Sequence, residues 1–125
     1  MTEQKSEIVA IIGASPDRHK YGNRALRGFA AAGYTVWPVN PNYEEIEGHK
    51  CSPSLDKLPG KPDIISIYTP PPITVKLMPA IARVGAAEVY FNPGSENEQV
   101  QQLAAELGVN AIFACSVVAR AFFTD

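Results

Sequence analysis

Apolar residues along the chain fall into short continuous runs separated by amphipathic stretches. "IVAII" (8–12) is apolar without interruption and β-branched, the pattern of a strand buried on both faces. Residues 22–33 follow with Leu26, Phe29 and Ala30 at helical spacing and Gly33 as a stop. "YTVWPV" (34–39) reads as a second strand, although Pro38 is unusual inside one. A loop with a short turn around "SLDKL" leads to a third strand, "DIISIY" (63–68). The stretch "ITVKLMPAIARVG" predicts a helix with Ile73, Leu77, Ile81 and Val84 on its buried face, kinked or broken at Pro79. "AEVYF" (87–91) is a fourth strand. Next, Ser95 and Glu98 have capping-box spacing, Val100, Leu103, Ala104 and Leu107 form a stripe, and Gly108 closes the helix. "NAIFA" (110–114) reads as a fifth strand and "VVARAFF" as a short terminal helix.

Strand alternating with helix implies right-handed crossovers and a parallel sheet covered on both faces. The expected fold class is α/β: a doubly wound, Rossmann-like domain with a five-stranded parallel sheet in the order 3-2-1-4-5 and helices on both faces. The chain's 125 residues make one such domain, 1–125, large enough to hold a core without disulfides or metals.

Composition narrows the functional classes. With 11 Lys and Arg against 13 Asp and Glu, the chain lacks the basic excess of a nucleic-acid binder. No apolar stretch approaches the about 20 residues that cross a bilayer, and "MTEQKSE" does not read as a secretory signal. Cys51 and Cys115 are far apart and form no C-x-x-C pair, so free thiols and a cytoplasmic location are expected. No G-x-S-x-G, H-E-x-x-H or phosphate-binding G-x-x-x-x-G-K-[ST] occurs. His19 and His49 have no ligand spacing, His49 reads as an exposed loop residue, and Glu44, Glu45 and Glu47 read as a solvated run. No catalytic constellation and no metal site is expected, so the chain reads as a binding protein and not an enzyme.

In doubly wound sheets ligands bind beyond the carboxyl ends of the strands, at the topological switch point. The first end, "GASPDRHKYGN" (13–23), opens as a dinucleotide loop would and then lacks the G-x-G-x-x-G spacing. Gly13 permits a tight turn, and Ala14 and Ser15 allow close approach to the backbone. Tyr21 and Gly22 start a helix whose N–H groups favour an anion, beside the positive charges of Arg18 and Lys20. Alternatively, the segment is an ordinary surface loop with solvated charges. At the second end, "VNPN", Asn40 stands where a nicotinamide dinucleotide site usually has an acid; read alone, Asn40-Pro41 simply makes a turn. At the third, "TPPP" is either a rigid wall without N–H donors or a device that sets the following helix. At the fourth, Gly94 and Ser95 are expected to begin a second donor-rich helix facing the same cleft. At the fifth, Cys115 falls near a helix start, where thiols become reactive, or else is a structural cysteine.

The run from "VAIIGASPDRHKYGN" through "VNPNYEEIEGHKCSPSL" to "YFNPGSENE" and "ACSVV" resembles the small stand-alone CoA-binding proteins of bacteria and archaea. It is similar, too, to the CoA-binding domain that opens the succinyl-CoA synthetase α subunit and the ADP-forming acyl-CoA synthetases. The resemblance implies that Gly13, Ala14, Ser15, Tyr21 and Gly22 hold the pyrophosphate of coenzyme A. It implies that Val39, Asn40 and Pro41 lie by the adenosine, that Thr69, Pro70 and Pro71 line the adenine side, and that Pro93 and Gly94 face the pantetheine arm. Cys115 matches a cysteine common in the stand-alone members. Asn42 stands where they often carry Lys, which leaves the 3′-phosphate to Arg18 or Lys20. The phosphohistidine and nucleotide-grasp domain of the large relatives lie outside this module, so their ligase activity does not carry over. The expectation is non-catalytic binding of coenzyme A or an acyl-CoA. Alternatives are an NAD(P)-linked redox or sensor protein, and a protein-interaction module with a vestigial cleft; a protein partner is left open.

Overall fold

The computed structural model describes residues 7–121. The main sheet comprises β1 (Ile8–Ile12), β2 (Thr35–Val39), β5 (Ile64–Ile67), β6 (Glu88–Phe91) and β7 (Ala111–Ile112), all parallel, in the order β2-β1-β5-β6-β7. A separate antiparallel hairpin, β3 (Glu45–Ile46) and β4 (His49–Lys50), follows β2. The helices are α1 (Tyr21–Ala31), α2 (Pro71–Val84) and α3 (Glu98–Glu106), with one 3-10 turn at Leu55–Lys57 and a π-helical turn at Val117–Ala121. The expected α/β, doubly wound, Rossmann-like fold is therefore present.

The two-residue period of the strands divides the core between the sheet's faces. Val9, Ile11 and Ile64 pack with Leu26 and Phe29 of α1 on one face. Ala10, Ile12, Ile65, Ile67, Val89 and Phe91 pack with Met78 and Ile81 of α2 and with Val100 and Ala104 of α3 on the other. β1 is buried on both faces, which its unbroken apolar run requires.

The strand order matches the expected 3-2-1-4-5 arrangement, with one difference in which segment takes which place. The third strand of the linear reading, residues 63–68, is not at the outer edge but next to β1 in the middle of the sheet. Its "IISI" core is buried at every position, as suits a central strand. The edge position outside β2 holds a single parallel bridge, Val39 to Ser52. Counted as a strand, that bridge gives the sheet the familiar doubly wound order 3-2-1-4-5-6. Pro38 is tolerated because its carbonyl faces this outer edge, accepting from Ser52 N–H (3.0 Å); the N–H it lacks is one that β1 would not have used.

Three helix details also differ. α2 runs through Pro79 without a break, because Pro79 lies on the exposed side, where the carbonyl left without a donor can turn to solvent. Its buried face is Thr74, Met78 and Ile81, whereas Ile73 is exposed. Thr74 can be buried because its hydroxyl donates to the carbonyls of Thr69 or Pro70 (3.1 and 3.2 Å). α3 is capped by Asn97, whose Oδ1 accepts from Val100 N–H (2.9 Å), so the Ser95–Glu98 box does not form. Ser95 instead donates from Oγ to the Asn92 carbonyl (2.7 Å). The fifth strand shortens to two residues, and Phe122 and Phe123 of the expected terminal helix lie outside the described residues.

Candidate functional site

The chain leaves β1 for β2 on one side and later returns to β5 on the other. That reversal opens a crevice beyond the carboxyl ends of β1, β5 and β6. A cavity of about 350 Å³ lies there, lined by Tyr21, Arg24, Ala25, Tyr68, Asn92, Pro93, Cys115 and Val117.

Tyr21, Arg24 and Ala25 of that lining belong to α1, which is positioned by the loop after β1. Gly13 has φ +84°, and a Cβ there would come within 3.2 Å of the Thr69 nitrogen. A Cβ on Gly22 would lie 2.8 Å from the Gly13 carbonyl oxygen, closer than real contacts permit. Together the two glycines let the loop, the start of α1 and the end of β5 meet at backbone distance. α1 begins with no side-chain cap and no acid in its first turn, so the donors that a cap would take remain for solvent or a ligand. Asn40 donates from Nδ2 to the Ala14 carbonyl (2.8 Å) and accepts from Asn42 N–H (2.9 Å), which ties the β2 corner to the β1 loop. Buried Asn23 donates to the Ser15 carbonyl (2.8 Å). Ser15 Oγ accepts from Asp17 N–H (3.0 Å) and so faces its own loop.

The charges are arranged less simply than the sequence implies. Arg18 is exposed, and its Nε lies 3.3 Å from Glu47 Oε2, which also accepts from Asn23 Nδ2 (3.1 Å). Glu47 is thus not part of a solvated run. It occupies the first position of the β3–β4 turn with φ 52°, beside Gly48 at φ 81°. A two-residue hairpin with both φ values positive favours Asn or Gly there, so Glu is held in a strained conformation by its partners. Lys20 is exposed at the N-cap of α1, and Tyr21 lies 5.6 Å from the Arg24 guanidinium as a cation–π pair.

The floor is a buried polar group. Asn92 Nδ2 donates to Ser66 Oγ and to the Ile67 carbonyl (both 2.9 Å), and its Oδ1 accepts from Ser116 N–H (2.8 Å). Ser66 Oγ lies 2.8 Å from Ser116 Oγ, which lies 3.3 Å from the Tyr68 hydroxyl. Burial pushes the Tyr68 phenol above its ordinary pKa, hydrogen bonds from Ser116 and Ser66 pull it down in part, and Cys115 nearby adds to the rise.

Of the sequence candidates, Tyr21, Pro93 and Cys115 meet at the cavity. Gly13, Ala14, Ser15, Gly22 and Asn40 form the loop above it, with Val39 buried beneath and Pro41 exposed beyond. Thr69 bonds through Oγ1 to Thr74 Oγ1 (2.9 Å), and Pro70 and Pro71 start α2. Gly94, at φ +93°, is in a turn rather than at a helix start, because α3 begins only at Glu98; the expected second helix N-terminus at Gly94 and Ser95 is absent. Cys115 and Cys51 are both free; Cys51 is buried, with its thiol pKa raised by burial and lowered in part by its bond to Asn40. His49 is half-buried in β4 and lines a groove beside Trp37, not an exposed loop. Arg24, Tyr68 and Asn92 are the residues the linear reading missed. Tyr68 and Asn92 directly follow apolar strands, where a polar side chain is the first to face the crevice.

The model of the CoA binding domain matches residues 7–121. The chain belongs to the CoA-binding domain family. An ADP-forming acetate–CoA ligase I of Archaeoglobus fulgidus is 39% identical over 84 residues, covering 66% of this chain and 12% of the ligase. This CoA-binding domain therefore spans a small fraction of that ligase's length. The uncharacterised protein YneT of Bacillus subtilis is 28% identical over 123 residues, covering 94% of this chain and 88% of its own. A solved structure of a conserved hypothetical protein from Pyrococcus furiosus superimposes with a TM-score of 0.82 at 34% identity, covering 92% of this chain and 99% of that one. Among the described residues, no helix of this CoA-binding domain is long and apolar enough to cross a membrane, and no cluster of His, Cys, Asp or Glu could hold a metal ion.

Proposed function

We propose that this chain binds coenzyme A or an acyl-CoA in the crevice at the carboxyl ends of β1, β5 and β6, and performs no chemistry on it. The observation that carries the reading is the uncapped start of α1 pressed against Gly13 through Gly22, where a Cβ would stand 2.8 Å from a backbone oxygen. That packing sets first-turn N–H groups beside the small residues Ala14 and Ser15, the arrangement a pyrophosphate needs. Arg18 and Lys20 add charge at the mouth for the remaining phosphate, and charge-assisted hydrogen bonds supply much of the affinity. Val39, Asn40 and Pro41 would border the adenosine, Thr69, Pro70 and Pro71 the adenine, and Pro93, Gly94 and Cys115 the pantetheine arm. Two carboxylates near this mouth have partners of their own: Asp17 Oδ1 accepts from His19 N–H (3.0 Å), and Glu47 pairs with Arg18 and accepts from Asn23.

Calorimetric titration with coenzyme A tests the reading. Saturable heat at about one ligand per chain is expected, and no heat at high micromolar coenzyme A sinks it. NADH and NADPH in parallel titrations should give none; tight binding of either would move the protein to the redox-cofactor class. Arg18→Ala is expected to weaken coenzyme A binding and flatten its salt dependence. An unchanged affinity removes Arg18 from the site.

A further inference from the structure

The polar floor of the cavity is a hydrogen-bonded chain with a definite direction. Ser116 N–H donates to Asn92 Oδ1, which fixes the amide orientation and points Nδ2 at Ser66 Oγ and the Ile67 carbonyl. Ser66 Oγ therefore accepts from Asn92, and its own proton needs an acceptor. Ser66 is fully buried, with Ser116 Oγ 2.8 Å away and the Tyr68 phenol also facing it, so its proton is directed to Tyr68 either through Ser116 or directly. Ser116 is also fully buried; when it accepts from Ser66, the oxygen left for its own proton is that of Tyr68, 3.3 Å away. The opposite direction would strand the Ser66 proton in the core, at the full desolvation cost of an unmade bond. The chain runs from Asn92 through Ser66 to Tyr68, by way of Ser116 or directly, each link polarising the next. What remains is the Tyr68 O–H, a donor on a residue that lines the cavity. Its phenol is held protonated well past neutrality by burial.

The surrounding walls state what such a donor can meet. Ala25, Pro93 and Val117 are apolar, Arg24 and the Cys115 thiol are donors, the Tyr21 hydroxyl can donate or accept, and the lining side chains include no carboxylate. The Asn92 amide oxygen accepts from Ser116 N–H. A thioester brings a carbonyl acceptor and no N–H.

We propose that Tyr68 is a specificity-determining residue, its hydroxyl donating to the carbonyl oxygen of an acyl thioester whose acyl chain lies against Ala25, Pro93 and Val117. The ligand of this site is then an acyl-CoA in preference to free coenzyme A. This rests on the coenzyme A reading above, and the experiment separates the two. Butyryl-CoA, its thioether analogue S-butyl-CoA and coenzyme A are titrated into the wild-type chain, Tyr68→Phe and Ser116→Ala, with thermal melts to confirm folding. In the wild type, butyryl-CoA should bind about fivefold tighter than S-butyl-CoA, the effect of one neutral hydrogen bond. Tyr68→Phe should abolish that ratio, and Ser116→Ala should reduce it. Equal wild-type affinities for the thioester and the thioether overturn the proposal even if Tyr68→Phe fails to fold. A ratio that survives Tyr68→Phe overturns it, and so does equal weakening of all three ligands, which would place the hydroxyl on the pantetheine arm; each outcome leaves the coenzyme A reading standing. Absence of binding by any of the three overturns the coenzyme A reading and the proposal together.

Discussion

The two ends of the parallel sheet both carry polar clusters, built on opposite plans. At the amino end, Arg120 reaches Glu7 (2.6 Å) and Glu88 (3.6 Å), the Tyr34 hydroxyl donates to the Arg120 carbonyl, and the Tyr90 hydroxyl donates to Glu88. Burial works against the Arg120 charge there, and Tyr34, Glu7, Glu88 and Tyr90 outweigh it, so its pKa rises. At the carboxyl end the buried groups are neutral: Asn92, Ser66, Ser116 and Tyr68. Ionic groups that pair with one another fasten the closing segment to the starts of β1 and β6, and the buried Arg120 Nε, 3.6 Å from Glu88, is left without a hydrogen-bond partner. A neutral chain ending in a hydroxyl leaves one donor for something else. Amino-end variants should therefore move stability alone, and carboxyl-end variants should move binding too.

Gly22→Ala should break the comparison most visibly. Its Cβ meets a backbone oxygen, so α1 must shift, with a loss of about 1–3 kcal/mol of stability in denaturant titrations and loss of coenzyme A binding. Gly94→Ala, where a Cβ meets nothing within 4 Å, should show only the strain of its positive φ, about 1–2 kcal/mol. Asn92→Ala removes three hydrogen bonds from a buried site and should lower stability by about 1–3 kcal/mol; a change below the error of the measurement would mean that the floor reorganises freely. Glu88→Gln, at the other end, should lower stability by about 1 kcal/mol or less and leave ligand affinity within twofold. A larger binding effect would erase the distinction between the ends.

Alkali gives the gentlest test. The Tyr68 and Tyr90 phenols are both raised, mainly by burial, with Glu88 adding to the rise at Tyr90. A raised phenol pKa favours the protonated fold. The stability it contributes is present in full below the ordinary tyrosine value of about 10 and is lost as pH climbs through the folded values. Melting temperature should thus fall on the alkaline side, with part of the phenolate absorbance appearing only on unfolding. Tyr68→Phe should shrink that late fraction.

Much of this architecture was legible from hydrophobic period alone. The runs 8–12, 35–39, 64–67 and 88–91 are strands because they are short, mostly apolar and β-branched or aromatic, with Ser66 the polar exception inside them, and Gly33 and Gly85 stop helices as expected. The doubly wound order was legible, but the place of residues 64–67 within it was not, because which side of β1 the chain returns to depends on packing far apart in sequence; burial of all four residues in "IISI" was the available hint. The α2 face was misread because Thr74 counts as polar until its hydroxyl finds a carbonyl one turn back. Asn97 displaced the Ser95 cap because Ser95 was already committed to Asn92. At the site, Gly13, Gly22 and the turn of Asn40 could be read from residue type. Glu47 and Tyr68 could not, since their meaning lies in partners 24 to 48 positions away.

The lone bridge at Ser52 has a bearing on how the molecule behaves in company. It occupies the Pro38 carbonyl and the Asn40 N–H, and Pro38 itself has no hydrogen to give, so the outer rim of β2 offers a foreign strand little to grip. The opposite rim, β7, is two residues long. A sheet whose borders are closed in these two ways is poorly suited to templating fibrils, even when the chain is concentrated.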